Sequence, residues 1–342
     1  MKAALLLKIK RSTFQNLHNH SEICLLEKCI TEREHSGFIC LVDKDENILS
    51  EIGESRTSFF LRSCAKPFQA LPIITSGTYQ KFGLTLEELA VCCASHTGSN
   101  KHTELVKSIL DKIGLKEKDF QCGVHDPIDV DTNHNLIKHN LKPSQLHNNC
   151  SGKHAGMLGV CLQKGWPIEN YLSFEHPLQK EILSVIQHYC LLDDNIKRAI
   201  DGCSAPVYAM PLYKMGAGFL KLFLSKDGEL IKNAYLKHPY LIGGTGRLDS
   251  IIIKASHNRL VAKVGAEGLC IVINPHEEKA LVVKILDSNI QARSIAVIEC
   301  LKQLGWLSKQ ELSCNEISKI YDLEIKNLNN IPVGQIEPVF KL

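Results

Sequence analysis

The chain lacks any apolar run approaching the ~18 residues that a membrane-spanning helix needs. Its first apolar run ends at Lys8, which is too short for the hydrophobic region of a signal peptide, and the alternation with lysine predicts a first β-strand. No basic block with interleaved aromatic residues is present, and the formal net charge is only +3. These absences argue against nucleic-acid and membrane partners. We therefore expect a soluble, cytoplasmic protein.

Cysteine is abundant, but its arrangement excludes a small disulfide scaffold. The fourteen cysteines contain no C-x-x-C pair and are scattered through helical and strand patterns. In a reducing compartment most of them are expected to be small buried hydrophobic residues. Cys150 and Cys203 differ because they lie in polar, glycine-rich segments.

Length and patterning favour an α+β fold. The chain has 342 residues, of which 44% are hydrophobic and 23% charged, as in ordinary globular proteins. Strand patterns occupy both ends and helical patterns the middle. This order predicts an antiparallel sheet with a helical insertion, the sheet from about 1–60 and 255–342 and the helical part from about 61–254. No linker or internal repeat divides the chain, so we expect a single catalytic unit over residues 1–342.

Several elements are predicted from local signals. Strand patterns cover residues 1 to about 52 and end in a hairpin, and three further strands lie near 260–264, 269–273 and 280–286. The predicted helices begin at Ser63, at the capping box of Thr85, at Ser99, near Gly152, at Ser173, at Ala205-Pro206 and at Arg293. Residues 120 to 150 carry no regular pattern.

Ser63 and Lys66 form an S-x-x-K pattern at the start of the first predicted helix. One helical turn separates them, which places the hydroxyl and the amine on the same face. Amide groups at a helix start can also stabilise an oxyanion. This pattern is typical of the Ser-Lys acyl-transfer site of penicillin-recognising enzymes. An ordinary helix capped by Ser63 would show the same residues, so the interpretation depends on further motifs downstream.

Two further segments complete the arrangement. Ser95-His96-Thr97 lies in a loop between helices, and Lys263-Val264-Gly265 lies on a late strand. A serine hydroxyl needs an adjacent base, and a lysine can serve when desolvation and a second ammonium group lower its pKa. We therefore predict two Ser-Lys pairs, Ser63 with Lys66 and Ser95 with Lys263. Ser63 is the expected nucleophile and Ser95 the relay, although these roles can be reversed.

A second group of residues has the donors of a zinc site. Cys150 and His154 stand four residues apart at a helix start, and Cys203 is a third soft donor. Two free thiols near a helix start would give the same spacing. His125 and His147 are further candidates, although loop histidines more often form ordinary hydrogen bonds.

With these motifs in view, the sequence resembles the asparaginase II family, related to the rhizobial inducible, thermolabile L-asparaginase. The segments that carry the resemblance are Arg62–Pro67, Ser95–Gly98, Asn149–His154, Asp201–Cys203 and Gly243–Arg247. The resemblance implies a fold similar to serine β-lactamases and penicillin-binding proteins, and a homodimer. It also implies hydrolysis of L-asparagine to aspartate and ammonia, with Ser63, Lys66, Ser95 and Lys263 as the catalytic residues.

The resemblance also implies a zinc ion that organises the substrate, held by Cys150, Lys153 and Cys203. Spacing instead favours His154, so the third ligand is left open between Lys153 and His154. Arg62 and Asp201 match the α-carboxylate and α-ammonium of the substrate by charge. Some relatives have a cysteine where this chain has Asp249, and a carboxylate there is expected to change metal affinity or substrate polarity.

Two alternatives to an asparaginase are considered. The first is another acyl-transfer hydrolase on the same scaffold, such as a glutaminase, because one methylene is worth only ~1–3 kcal/mol in a pocket. The second is a catalytically inactive zinc-binding or amino-acid-binding protein. The presence of both serines and both lysines argues against the second.

Overall fold

A computed structural model describes residues 2–12 and 29–342. Within these residues the protein combines an antiparallel sheet with many helices, which confirms the predicted α+β class. The strand pattern predicted for residues 1 to 52 falls partly on residue 1 and on 13–28, which lie outside the described residues.

The main sheet has eight strands and joins the two ends of the chain. The described strands are β1 (Ala4–Ser12), β2 (Cys29–Asp43), β3 (Ile48–Ile52), β4 (Ser58–Phe60), β5 (Lys197–Ile200), β6 (Pro206–Pro211), β7 (Val261–Val264), β8 (Leu269–Asn274), β9 (Lys279–Ile285), β10 (Glu324–Lys326) and β11 (Pro332–Pro338). In the main sheet the strand order is β10-β11-β1-β2-β9-β8-β7, with β3 paired to β2, and all pairs are antiparallel. Strands β4, β6 and β5 form a second sheet.

Most helices lie between β4 and β7 in the chain. The α-helices are α1 (Lys66–Thr75), α2 (Thr78–Lys81), α3 (Leu86–Cys92), α4 (Asn100–Ile113), α5 (Val130–Lys138), α6 (Ser151–Lys164), α7 (Pro177–Cys190), α8 (Leu212–Leu224), α9 (Glu229–Lys237), α10 (Pro239–Ile242), α11 (Leu248–Ala255), α12 (Ile290–Gln303), α13 (Lys309–Leu312) and α14 (Asn315–Ile320). None of the helices in the described residues is long and apolar enough to cross a membrane.

Strands β7 and β8 lie in the core of the protein. Strand β8 is buried along its whole length, and β7 is buried as well. Helices α8 and α12 both pack on this part of the sheet. Because side chains alternate between the two faces of a strand, burial at every position means that both faces are covered. A lysine on β7 is therefore held inside the protein.

The helical part is built around α6, which contacts α1, α3 and α4. The first eleven residues of α6 are all buried. Gly152 permits the close approach to α3, because a Cβ atom there would lie 2.3 Å from the backbone oxygen of Val91. The start of α6 is thereby brought against the end of α3.

Most predicted elements are confirmed. The hairpin of β2 and β3, the strands β7, β8 and β9, and the capping box of Thr85 are present as expected. Gly114 and Gly165 end α4 and α6 in the left-handed conformation.

Several predictions are wrong. The helix predicted from Arg293 begins at Ile290, and residues 120–150, predicted to carry no regular pattern, contain α5. The helix predicted from Ser173 begins at Pro177, with His176 as its N-cap. The helix predicted from Ala205-Pro206 is β6 followed by α8, because Pro211 has an extended ψ of 145° and separates the two. The helix predicted from Ser63 begins at Lys66, after a 3₁₀ turn.

Candidate active site

Ser63 lies in a strained turn rather than at the first residue of a helix. The residues Arg62–Ala65 form a 3₁₀ turn, and Arg62 has a positive φ of 48°. A non-glycine residue in this conformation costs of order 1–3 kcal/mol, and such residues concentrate at functional sites. The side chain of Ser63 is half-buried, and its hydroxyl has no hydrogen-bond partner among the residues that the structure describes. Ser63 is therefore less buried than Ser95.

Lys66 is the first residue of α1 and points into the protein. Its side chain is only 1% exposed. Its Nζ donates to the Oγ of Ser95 at 2.9 Å and to the backbone oxygen of Asn149 at 3.2 Å. The expected pair of Ser63 with Lys66 is thus replaced by a pair of Lys66 with Ser95. The physical reason is the 3₁₀ turn, which starts the α-helix at Lys66 and directs its amine toward the end of α3.

The environment of Lys66 favours a neutral amine. The pKa of Lys66 is lowered from 10.5 to about 8, chiefly by burial; Cys150 and Cys203 oppose this shift, and the charges of Lys153 and Lys263 add to it. About a tenth of the amine is therefore unprotonated at pH 7, and about half at pH 8. An unprotonated amine 2.9 Å from a serine hydroxyl can accept its proton.

Lys263 is completely buried on β7 and pairs with a carboxylate. Its Nζ donates to the Oδ2 of Asp249 at 2.9 Å and to the backbone oxygen of Val264 at 3.1 Å. Both side chains are 0% exposed. The predicted pair of Ser95 with Lys263 is not formed. Lys263 instead donates a hydrogen bond to Asp249, and Ser95 accepts one from Lys66.

The two lysines nevertheless share one site. The charge of Lys263 is among the influences on the pKa of Lys66, and both lysines act on the thiol of Cys93. The backbone amide of Ser95 donates to the carbonyl of Ile242 at 3.1 Å, which fixes Ser95 just after the end of α3. Lys66, Ser95 and Lys263 therefore belong to one buried cluster.

Gly244 brings the segment 243–247 against this cluster. It has a positive φ of 117°, and a Cβ atom there would lie 2.3 Å from the Oγ1 of Thr97. Only glycine fits both conditions. Thr97 is buried, and its hydroxyl has no hydrogen-bond partner in the described part of the chain.

The thiols of Cys150 and Cys203 lie together beside Lys153. The Nζ of Lys153 donates to the sulfur of Cys203 at 2.9 Å, and all three side chains are buried. A hydrogen bond from Cys150 lowers the pKa of Cys203, burial opposes this, and the charge of Lys153 adds to it. The same hydrogen bond and burial raise the pKa of Cys150. One thiolate and one thiol result, with Lys153 as the counter-ion of the thiolate.

This group has donors that suit zinc, although its third donor is an amine. Over residues 2–12 and 29–342, no three histidine, cysteine, aspartate or glutamate side chains are arranged to hold a metal. Lys153 and His154 are the two further donors that the sequence offers beside Cys150 and Cys203. His154 is neutral because burial lowers its pKa to about 4. Its Nδ1 contacts the hydroxyl of Tyr171 at 2.7 Å.

The other predicted residues have defined partners. The Nε of Arg62 donates to Asp201 at 2.9 Å, and the Nη1 of Arg62 lies 3.5 Å from Glu267. The pair of Arg62 and Asp201 is partly exposed beside Ser63. His125 accepts from the amide of Asn149 at 2.9 Å, and His147 accepts from the amide of Ser144 at 3.1 Å. The two histidines are thus loop hydrogen-bonders.

Comparison with known proteins identifies the family. The sequence profile described as L-asparaginase II matches residues 25–338, nearly the whole chain. The chain belongs to the L-asparaginase II family. Membership makes it a hydrolase of the L-asparaginase type and confirms the resemblance drawn from the motifs. A search of curated protein sequences returned no match.

Solved structures similar to this family member include two from the penicillin-recognising group. A β-lactamase from Mycobacterium bovis is 11% identical, with 80% of this chain and 95% of that chain covered and a TM-score of 0.42. An octameric penicillin-binding protein homologue from Pyrococcus abyssi is 13% identical, with 83% and 76% covered and a TM-score of 0.35.

Proposed function

We propose that this protein hydrolyses the side-chain amide of L-asparagine, giving L-aspartate and ammonia. Membership of the L-asparaginase II family supports this substrate. The observation that carries the mechanism is the buried contact of 2.9 Å between the Nζ of Lys66 and the Oγ of Ser95. It pairs a hydroxyl with an amine whose pKa is lowered to about 8 by burial.

In the acylation step, the oxygen of Ser63 attacks the side-chain carbonyl carbon of asparagine. Ser63 is the nucleophile because it is the more accessible of the two serines, whereas Ser95 is 3% exposed and engaged by Lys66. The proton of Ser63 passes to Ser95, whose own proton moves to the neutral amine of Lys66. The C–N bond then breaks, and the ammonia leaves with the proton returned by Lys66 through Ser95.

In the deacylation step, water attacks the ester between Ser63 and the aspartyl group. Lys66, neutral again, takes a proton from this water through Ser95. The C–O bond to Ser63 breaks, and the serine oxygen regains a proton as aspartate leaves. Each cycle consumes one water and returns all three side chains to their starting states.

Arg62 and Asp201 are proposed to recognise the charged groups of the amino acid. They lie beside Ser63 and are partly exposed, so an incoming α-carboxylate can share the guanidinium and an α-ammonium can share the carboxylate. Their mutual ion pair keeps both groups in place before the substrate arrives. An amide that lacks the α-carboxylate and the α-ammonium would not form these two interactions and would bind less tightly.

Zinc is proposed to bind Cys150, Lys153 and Cys203. Two buried sulfurs and an amine that lies 2.9 Å from one of them fit the softness of zinc. A bound zinc ion would organise polar groups of the substrate. Before metal binds, Lys153 is an ammonium, Cys203 a thiolate and Cys150 a thiol. Lys153 and Cys150 must therefore release a proton each when they bind the metal.

A substrate panel with ammonia detection tests the proposal. It contains L-asparagine, L-glutamine and D-asparagine, with the parent, Ser63→Ala, Ser95→Ala and Ser108→Ala compared at equal concentration, and a separate β-lactam sample is followed by the absorbance change of ring opening. Ser108 lies on α4 and bonds Glu88, so its variant is the matched control. We expect each active-site variant to lose roughly 10³-fold in kcat on L-asparagine, as for serine hydrolases that lose a catalytic group. If both keep the parent's turnover, the assignment is wrong.

A further inference from the structure

Asp249 is a buried carboxylate that the proposed proton transfers do not use. It lies in the first turn of α11, and its Oδ2 accepts from both the Nζ of Lys263 and the amide of Val264, at 2.9 and 3.2 Å. Its Oδ1 accepts from the amide of Ser250 at 3.2 Å. Three donors therefore hold this carboxylate against β7. A buried ion that is bonded in this way is fixed in both position and charge.

The surroundings of the pair are cationic. Burial raises the pKa values of the nearby thiols and phenol, so these groups are neutral near pH 7. The titratable and charged groups around the pair, taken from every element packed against it, are Cys64, Lys66, Cys93, Tyr235, Arg247, Cys270 and Arg293. Among these groups and the pair itself, Asp249 is the sole anion. Without it Lys263 would share a dry site with further positive charges. Lys66 faces in addition His96, Cys150, Lys153, His154 and Cys203, and the two sulfurs oppose the lowering of its pKa.

We propose that Asp249 is a positioning residue that fixes Lys263 as an ammonium ion, so that Lys66 alone serves Ser95 as a base and Lys263 acts on Lys66 through its charge. This inference rests on the proposed function for its role in turnover. The sequence suggests the two lysines as equivalent partners of two serines. The inference instead makes Lys66 the base and Lys263 a fixed cation. Asp249 itself touches neither the hydroxyl of Ser95 nor that of Ser63 through any hydrogen bond among the described residues.

The charge of Asp249 thus controls Lys66 indirectly. When Asp249 is neutral, Lys263 loses its counter-ion in a site that desolvates it completely, and it becomes a neutral amine. Lys66 then loses the repulsion that Lys263 exerts on it. Its proton is held more tightly, and a higher pH is needed to obtain the base.

The test is the pH dependence of kcat/KM for ammonia release from L-asparagine. Asp249→Asn is compared with the parent and with Glu88→Gln, which neutralises another buried carboxylate in an ion pair, with Lys112. For Asp249→Asn we expect the acidic limb to move to higher pH, with a loss of roughly three- to tenfold at pH 7 that recovers at alkaline pH. Glu88→Gln should leave the position of the limb unchanged.

The opposite outcome is equally defined. If Lys263 were the base for Ser95, loss of Asp249 would make Lys263 easier to deprotonate and would move the limb to lower pH. A limb that moves down, or that stays in place, overturns the inference. The double variant Asp249→Asn/Lys263→Met removes both buried charges together and covers the case in which the single variant does not fold. It should show the same upward shift.

A second measurement does not depend on activity. Protein carrying ¹³C at the lysine Cε positions is titrated by NMR, and Lys66→Met and Lys263→Met identify the two signals. In the parent we expect the signal of Lys66 to titrate with a midpoint near 8, and in Asp249→Asn to titrate at higher pH. If the parent releases no ammonia but the titrations are as expected, the proposed function fails and this inference stands. A Lys66 midpoint that is unchanged or lower in Asp249→Asn overturns it.

Discussion

Replacing Lys66 by methionine should remove activity and make the protein more stable at neutral pH. Burial lowers the pKa of this amine from 10.5 to about 8. Each pKa unit corresponds to ~1.4 kcal/mol, so the folded state carries a penalty of about 3 kcal/mol when Lys66 is charged. Methionine has a similar length, is flexible, and bears no charge, so it can fill the same space without this penalty.

Two lost hydrogen bonds offset part of the gain. Lys66 donates to Ser95 and to the carbonyl of Asn149. At about 1 kcal/mol each, their loss costs about 2 kcal/mol. The expected net effect at pH 7 is an increase of about 1 kcal/mol in the free energy of unfolding, the difference between these two estimates.

The effect must change sign with pH. Below about pH 8 the amine is charged in both the folded and the unfolded chain, so the parent bears the full penalty. Between about pH 8 and 10.5 the unfolded chain binds more protons than the folded one, and the stability of the parent rises with pH. The advantage of Lys66→Met therefore shrinks through this window. Above it only the lost hydrogen bonds remain, and the variant becomes the less stable protein.

Lys263→Met is the matched control and should have the opposite effect at pH 7. It leaves the completely buried carboxylate of Asp249 without its counter-ion, which typically costs 3–5 kcal/mol. Urea unfolding followed by circular dichroism at pH 7 and pH 9.5 measures both variants. A Lys66→Met protein that is less stable than the parent at pH 7 would refute the reasoning. So would a Lys263→Met protein that is as stable as the parent.

Three further outcomes are expected. The kcat for L-asparagine should rise between pH 7 and pH 9 with a midpoint near 8, the pKa of Lys66, and a pH-independent rate would argue against an amine base. Metal analysis after zinc loading should find less zinc on Cys203→Ser than on the parent, and an unchanged content on Cys190→Ser, which alters a buried thiol of α7. Gly152→Ala should lower the free energy of unfolding in urea by about 1–3 kcal/mol, because its Cβ would lie 2.3 Å from a backbone oxygen. Gly159→Ala on the same helix should lower it less, because the nearest atom to its Cβ is a side-chain methyl carbon at 3.2 Å.

The sequence predicts elements well where one signal dominates. Strands β7, β8 and β9 follow from short runs rich in Val, Ile and Leu that are bounded by turn residues. The start of α8 is missed because the apolar run from Pro206 to Leu224 suits a strand and a helix equally well. Pro211 divides it, since proline is compatible with the end of a strand and with the start of a helix. Strand β11 is missed because its sequence has little apolar alternation, and it lies between β1 from the other end of the chain and the three-residue strand β10.

The candidate site is predicted as a set of residues but not as a set of contacts. Short spacing identifies Ser63 and Lys66, because S-x-x-K is a local pattern. It also suggests that they bond each other, which a 3₁₀ turn prevents. The partner of Lys66 is 29 residues away and that of Lys263 is 14 residues away on another element. Such contacts depend on how elements pack, and spacing carries no information about packing.

The counter-ions of the buried lysines assign their roles. Lys153 lies 2.9 Å from the sulfur of Cys203, whose pKa is lowered, and Lys263 lies 2.9 Å from Asp249. Both amines are therefore held as cations by an anion of their own. Lys66 has a hydroxyl and a carbonyl as its partners, and within residues 2–12 and 29–342 it forms no ion pair. In the described part of the chain Lys66 is thus a buried amine without a counter-ion of its own, burial lowers its pKa, and it is the amine that contacts Ser95.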